Sequence, residues 1–258
     1  MASPRARQHP APSGQPAFAD RTEAGTLLGA AVRAVLAEPA FPERGRGSAV
    51  GAIISSAAAG GHPASQPCVF ALPRGGVPVA TGVASALGAT LDVLIVRKIG
   101  HPAAPELGLG AIAEDGAGGA LEPLFDEEMI GRAGISLADL ADVVIRERAE
   151  LARRAAVYQR GRGRGQDLAG RLAIVVDDGL ATGVTARAAL RAVRARGPAR
   201  TMLAVPVAAA AAVRAVKKET DEVVTLVTPR RFLSVGEWYV DFGQLTDADV
   251  LTLLAAIP

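Results

Sequence analysis

The sequence is poor in several residue types, and each scarcity excludes a class of protein. One cysteine among 258 residues rules out an intramolecular disulfide or a cysteine-based zinc site. No apolar run approaches the roughly 20 residues of a membrane-spanning helix. A net charge of +2 is too balanced to indicate non-specific binding to nucleic acid. We therefore expect a globular, cytoplasmic protein that binds neither membrane nor DNA.

Lysine and aromatic residues are also scarce. Only three of the 28 basic residues are lysine, and the other 25 are arginine, which grips phosphate groups in two-pronged geometry. Four of the nine aromatic residues lie within residues 232–242. These four indicate either a stacking wall for a flat ring or a C-terminal flap packed on the fold, and the sequence does not choose between the two.

The order of apolar and polar segments predicts an α/β fold, a Rossmann-like parallel sheet wound by helices. The chain divides into a disordered tail (1–20) and one domain (21–258), with a Gly, Ser, Ala and Pro-rich flexible insertion at 43–67. We expect strands at 68–72, 92–96, 172–176, 201–207 and 223–227. We expect helices at 21–37, 77–87, 136–159, 185–195, 208–219 and 246–255. Ligands of such sheets bind beyond the carboxyl ends of the strands.

The most specific motif is Val-Val-Asp-Asp-Gly-Leu-Ala-Thr-Gly-Val-Thr at 175–185. An apolar strand delivers Asp177 and Asp178, and a turn of small and hydroxyl residues then enters a helix. Backbone N–H groups at a helix N-terminus bind anions, whereas two carboxylates would repel a phosphate. The carboxylates therefore indicate sugar hydroxyls with a divalent cation nearby, and the whole motif predicts a site for a phosphorylated sugar.

This motif resembles the signature of the type I phosphoribosyltransferases, and the resemblance extends over residues 68–245. It implies that family's fold, with a small hood at 229–245, a mobile loop at 99–119 that closes over the sugar phosphate, and a homodimer. It also implies a pyrophosphate loop at Leu-Pro-Arg-Gly-Gly (72–76), with a cis peptide expected at Arg74–Gly75 and glycines that allow close approach of phosphate.

The resemblance assigns a role to each candidate site residue. The 5-phosphate would bind Ala181, Thr182, Gly183, Val184 and Thr185. Pyrophosphate would bind Arg74, Gly75, Arg97 and Lys98. Asp177 and Asp178 would be catalytic and would hold Mg²⁺, directly or through water or ribose hydroxyls. Proton transfer to the base would fall to Glu106, with Glu114 as the other candidate, although either could be a solvated loop acid. Phe232, Trp238 and Tyr239 would stack on the base.

The implied reaction transfers 5-phosphoribosyl from 5-phosphoribosyl-1-diphosphate (PRPP) to a ring nitrogen of a nucleobase or related heterocycle, with release of pyrophosphate. Preorganised charges at the leaving group would supply most of the rate enhancement. One alternative is a PRPP-sensing regulator of nucleotide metabolism without transferase activity. Another is an enzyme whose acceptor is not a free nucleobase.

Overall fold

The protein is described here by a computed structural model, which covers residues 16–38, 66–116, 119–158 and 166–255. Its helices are α1 (Arg21–Leu36), α2 (Gly76–Leu87), α3 (Glu127–Ala133), α4 (Ala141–Tyr158), α5 (Val184–Ala195), α6 (Ala210–Val216) and α7 (Asp247–Ala255). Its strands are β1 (Cys68–Ala71), β2 (Thr90–Val93), β3 (Val96–His101), β4 (Ala104–Ala113), β5 (Leu124–Phe125), β6 (Leu172–Val176), β7 (Arg200–Val207) and β8 (Glu222–Val227). Within these residues no helix is both long and apolar enough to cross a bilayer.

Five strands form a parallel sheet in the order β2-β1-β6-β7-β8. β1, β6 and β7 are buried along their whole length because helices cover both faces, which explains their uninterrupted apolar sequences. β1 and β6 are direct neighbours and end at the same edge of the sheet. The predicted parallel α/β fold is therefore confirmed.

Helix α1 begins where the sequence predicts, because the Asp20 carboxylate accepts hydrogen bonds from the N–H groups of Thr22 and Glu23. It packs tightly against α2. A Cβ at Gly25 would lie 2.7 Å from the Val79 carbonyl oxygen, so the two backbones touch only because glycine stands there.

The second predicted strand is displaced. β2 spans Thr90–Val93 rather than 92–96, since its register pairs Cys68 with Thr90 and Ala71 with Val93. Leu94 still donates its N–H to Ala71, at 3.0 Å, and the chain then turns into β3. Leu94 is fully buried although it lies outside the strand. Because buried residues are apolar inside and outside strands alike, the sequence pattern did not show that the strand ends at Val93.

The region 99–119, predicted as a mobile loop, lies largely in antiparallel strands. β3, β4 and β5 form a three-stranded sheet, and this sheet is the small hood of the fold. Its glycines serve close strand approach rather than an irregular loop. A Cβ at Gly100 would collide with the Pro105 carbonyl oxygen, and one at Gly110 would lie 2.7 Å from that of Leu124.

The predicted hood at 229–245 instead pairs with the start of the described chain. Phe18 and Tyr239 form a bridge, and the Val240 N–H donates to Phe18 O at 2.9 Å. Phe18 is buried, so residues 16–20 are not part of a disordered tail. Residues 1–15 of the predicted tail and 43–65 of the predicted insertion lie outside the described residues.

Candidate functional site

Two turns meet at the carboxyl edge of the sheet, 72–76 after β1 and 177–183 after β6. The Leu72 N–H donates to Val176 O at 2.9 Å, which ties the strand ends together. A Cβ at Gly75 would collide with Asp178 Oδ2, and one at Gly76 would lie 2.7 Å from Val176 O. The two glycines, expected to admit phosphate, thus also allow the turns to pack on each other.

The first turn contains a cis peptide, at Pro73–Arg74. The expectation of a cis bond at Arg74–Gly75 was therefore wrong by one residue. Among the described residues, the N–H groups of Arg74 and Gly75 have no hydrogen-bond acceptor, whereas Gly76 N–H donates to Leu72 O at 3.0 Å. The turn thus offers two adjacent free donors, as an anion-binding loop requires.

The second turn leads into α5 through Gly183, whose φ of 85° lies in the left-handed region. No side chain caps this helix. The N–H groups of Ala181, Thr182 and Gly183 likewise have no acceptor among the described residues. Thr182 is exposed, and Thr185 is half-buried. Free N–H groups and hydroxyls at the N-terminus of a 12-residue helix form a site suited to a phosphate group.

Asp177 lies at the junction of the two turns. Its Oδ1 accepts the Asp178 N–H at 2.9 Å, and it would stand 3.3 Å from a Cβ at Gly76. Burial, and after it the charge of Asp178, raises the pKa of Asp177 well above its ordinary value. The ionised form is therefore unfavourable in the unliganded protein. Ligand hydroxyls or a cation beside the carboxylate would relieve that cost.

Asp178 is held by a residue that the sequence analysis did not identify. Arg21 Nε donates to Asp178 Oδ2 at 2.8 Å, and both side chains are largely buried. Burial raises the pKa of Asp178, while Arg21 acts in the opposite direction. The Tyr239 hydroxyl also donates to Asp178 O, at 2.6 Å. Arg21 and Asp178 are 157 positions apart, so no local sequence pattern could have revealed the pair.

Two of the predicted basic residues, Arg97 and Lys98, lie on the hood together with Glu106, the predicted proton-transfer acid. Arg97 Nε donates to Glu147 Oε2 of α4 at 2.7 Å, and Lys98 Nζ donates to Glu106 O at 2.8 Å. Arg97, Lys98, Glu106 and Glu147 are among the residues that line a pocket of about 300 Å³. The Glu106 side chain is fully exposed, so in this conformation it is a solvated acid paired with Lys98.

Glu114, the other acid considered for proton transfer, has a structural position instead. Its side chain is buried, and its Oε1 accepts the Ile95 N–H at 2.8 Å. That hydrogen bond satisfies a buried backbone donor where the chain passes from β2 into β3. The sequence shows only a charged residue among glycines, which does not distinguish a loop acid from a buried acceptor.

Two of the three residues predicted to stack on the base belong to the core. Trp238 and Tyr239 are only 8% and 4% exposed, and the Tyr239 ring stacks on Phe242 at 5.0 Å between centroids. This burial favours the flap interpretation, and the base-stacking role of the two residues stays a prediction. Phe232 is half-buried against the core. Val235, from the same segment, packs directly over Gly179 of the second turn.

The donor set fits a magnesium ion that keeps most of its own water. The described residues contain no group of three His, Cys, Asp or Glu side chains arranged to hold a metal. Asp177 and Asp178 supply hard carboxylate oxygens at the edge of a turn with free N–H groups. One or two carboxylates together with ligand phosphates are the usual protein-side environment of Mg²⁺.

The parallel sheet, the two turns with free N–H groups and the acid pair define an α/β protein whose carboxyl edge has the features of a ligand site. A family model, the phosphoribosyl transferase domain, matches residues 45–242. The chain therefore belongs to the phosphoribosyl transferase domain family.

Individual relatives agree with this assignment. Over 186 residues the chain is 44% identical to a protein of Mycobacterium tuberculosis named "Putative phosphoribosyl transferase", found in two strains. That match covers 72% of this chain but only 41% of the relative, so the chain spans about two-fifths of the relative's length. The crystal structure of TT1426 from Thermus thermophilus is similar with a TM-score of 0.65 and 38% identity, covering 92% of this chain and 97% of that one.

Proposed function

We propose that the protein is a phosphoribosyltransferase that transfers 5-phosphoribosyl from PRPP to a ring nitrogen of a heterocycle and releases pyrophosphate. The observation that carries the proposal is the meeting of two turns with free N–H groups on either side of a half-buried acid pair. A ligand with two phosphate groups separated by a sugar matches this arrangement. Neither turn alone would require such a ligand.

The second turn would fix the reacting carbon by anchoring the 5-phosphate. The 5-phosphate would accept hydrogen bonds from the N–H groups of the loop and of the first turn of α5, those of Ala181, Thr182, Gly183, Val184 and Thr185. Because the N-terminal end of a helix carries partial positive charge, it favours that anion further. Anchoring the far end of the sugar orients its first carbon toward the attacking nitrogen and reduces the entropy cost of the encounter.

The acid pair would hold the ribose. Sugar hydroxyls can donate hydrogen bonds to the carboxylates of Asp177 and Asp178. The neighbouring phosphates cannot, because they carry negative charge as well. During transfer the sugar acquires positive charge, and two nearby carboxylates stabilise that charge. The same carboxylates fit a Mg²⁺ ion, which would neutralise charge on the pyrophosphate when bound.

The first turn would receive the leaving group. The N–H groups of Arg74 and Gly75 have no acceptor within the described part of the chain, and the guanidinium of Arg74 can add a charge-assisted bond to pyrophosphate. We propose the same role for Arg97 and Lys98. To bind pyrophosphate, Arg97 must leave its partner Glu147, and Lys98 must leave Glu106. The identity of the acceptor heterocycle stays open. Trp238 and Tyr239 are buried, so their burial does not support stacking on its ring.

The test is pyrophosphate release from PRPP and Mg²⁺ with a panel of purines, pyrimidines and other heterocycles. We expect release with at least one acceptor, and none with Asp177→Asn. PRPP binding without release for any acceptor would favour the PRPP-sensing regulator. Absence of both binding and release would contradict the proposal.

A further inference from the structure

Arg21 connects three separate parts of the molecule through one guanidinium group. Its Nε donates to Asp178 Oδ2 at 2.8 Å, and its Nη1 donates to Gly243 O at 2.9 Å. Its Cζ lies 3.7 Å from the centroid of the Phe242 ring. The side chain is only 11% exposed. Two edge nitrogens and one face of the planar group are thus engaged at once, in a way that lysine could not reproduce.

The position of Arg21 is fixed from both ends of the described chain. Phe18, Arg21, Tyr239 and Phe242 form what we name the terminal clamp. The Phe18 N–H donates to Trp238 O at 3.1 Å, and the Phe18 and Tyr239 rings lie 5.3 Å apart. Arg21 also stands in the first turn of α1, where the helix dipole disfavours a cation. A cation at that end of a helix needs a compensating negative charge, and Asp178 supplies it through its contact with Arg21.

The clamp restrains Asp178 twice, through its side chain and through its backbone. Arg21 binds Oδ2, and Tyr239 donates its hydroxyl to the Asp178 carbonyl oxygen at 2.6 Å. Oδ2 also packs on Gly75. The Asp177 carboxyl and the Asp178 N–H also hydrogen-bond to the Asp178 carboxyl group. Arg21 therefore fixes the Oδ2 edge of the carboxylate, and with it the orientation of the acid pair.

We propose that Arg21 is a positioning residue, which holds Asp178 by Oδ2 so that its carboxylate is presented to the ribose hydroxyls. The inference rests on the proposed function, because it takes Asp178 as a ribose ligand. Arg21 acts through Asp178 and does not itself touch the substrate. Replacing Arg21 should weaken the binding of ligands that contain ribose and should not change the binding of a ligand without ribose.

Titration calorimetry with ribose 5-phosphate, PRPP and inorganic pyrophosphate tests this selectivity. We expect Arg21→Gln to weaken both ribose ligands about tenfold or more, the effect of losing one charge-assisted hydrogen bond, and pyrophosphate less than about twofold. The matched control is Arg33→Gln, which removes an exposed arginine from the same helix and should change none of the three affinities.

Two further variants cover the case in which Arg21→Gln does not fold, since it leaves a buried carboxylate unpaired. Arg21→Lys keeps the charge but cannot reach Asp178 and Gly243 together, and Phe242→Leu removes the stacked ring without altering charge. Both should show the same selective loss in smaller degree. In an Asp178→Asn background, Arg21→Gln should cause no further loss of ribose 5-phosphate affinity.

The outcomes separate this inference from the function on which it rests. If the wild-type protein binds ribose 5-phosphate and the Arg21 variants bind all three ligands normally, or lose all three equally, the positioning role is wrong and the proposed function stands. If the wild-type protein binds neither ribose 5-phosphate nor PRPP, the proposed function fails and this inference fails with it.

Discussion

Replacing Asp177 with asparagine should stabilise the protein while abolishing its activity. Burial raises the pKa of Asp177, so the folded state binds this proton more tightly than the unfolded state does. The resulting stability is fully present below the unfolded pKa of about 3.9 and is lost as the pH rises through the folded value. At pH 7 the ionised carboxylate is thus a cost. Asparagine removes that charge and keeps the Oδ1 acceptor for the Asp178 N–H.

The expected gain follows from the usual effect of relieving an unfavourable active-site group, about 0.5–2 kcal/mol. For a chain of this length each kcal/mol shifts the melting temperature by roughly 2–4 °C, so we expect an increase of about 1–8 °C at pH 7. The assay is thermal unfolding from pH 4 to pH 8. The difference between variant and wild type should shrink as the pH falls, because the folded wild-type protein takes up a proton on Asp177.

The matched control is Asp142→Asn, which changes an exposed aspartate at the start of α4 and should move the melting temperature little at any pH. A destabilised Asp177→Asn protein at pH 7, or a difference that does not depend on pH, would refute the argument from burial. Retained PRPP turnover in a stabilised variant would instead separate Asp177 from the reaction.

Three further variants test other parts of the site. Arg74→Ala should weaken the binding of pyrophosphate and PRPP but not of ribose 5-phosphate. Thr185→Val should weaken the binding of PRPP and ribose 5-phosphate about tenfold, measured by calorimetry. Equal losses for all ligands would contradict the assignment of the two turns to different groups of the ligand. Gly75→Ala should displace Asp178 and remove PRPP binding, while Gly131→Ala, where a Cβ meets open space, should not; normal binding in the former would refute the packing argument. Trp238→Ala should cost about 3–5 kcal/mol of stability in chemical denaturation, and a stable variant with altered acceptor preference would restore its stacking role.

The sequence was most informative where one local pattern determines both structure and chemistry. The parallel strands were predictable because burial on both faces produces short apolar runs. The turn at 177–183 was predictable because its acids, small residues and following helix are contiguous. The free N–H groups found there are consistent with the predicted anion site.

The sequence misled where one composition serves two structures. Glycines at Gly100 and Gly110 indicated an irregular loop, yet they allow strands to approach closely in the hood. The aromatic residues at 232–242 left a ligand wall and a C-terminal flap equally open, and the burial of Trp238 and Tyr239 beside Phe18 favours the flap. Arg21 was missed because its partner is distant in sequence, and only the fold brings the two together.

Calorimetric titration of the wild-type protein with PRPP in the presence of Mg²⁺ tests the central claim most directly. We predict one PRPP bound per chain, displaced by ribose 5-phosphate and by pyrophosphate, because each of those ligands occupies one of the two turns. Absence of binding at millimolar PRPP, or binding that neither fragment displaces, would contradict the assignment of the two turns to the two ends of this ligand.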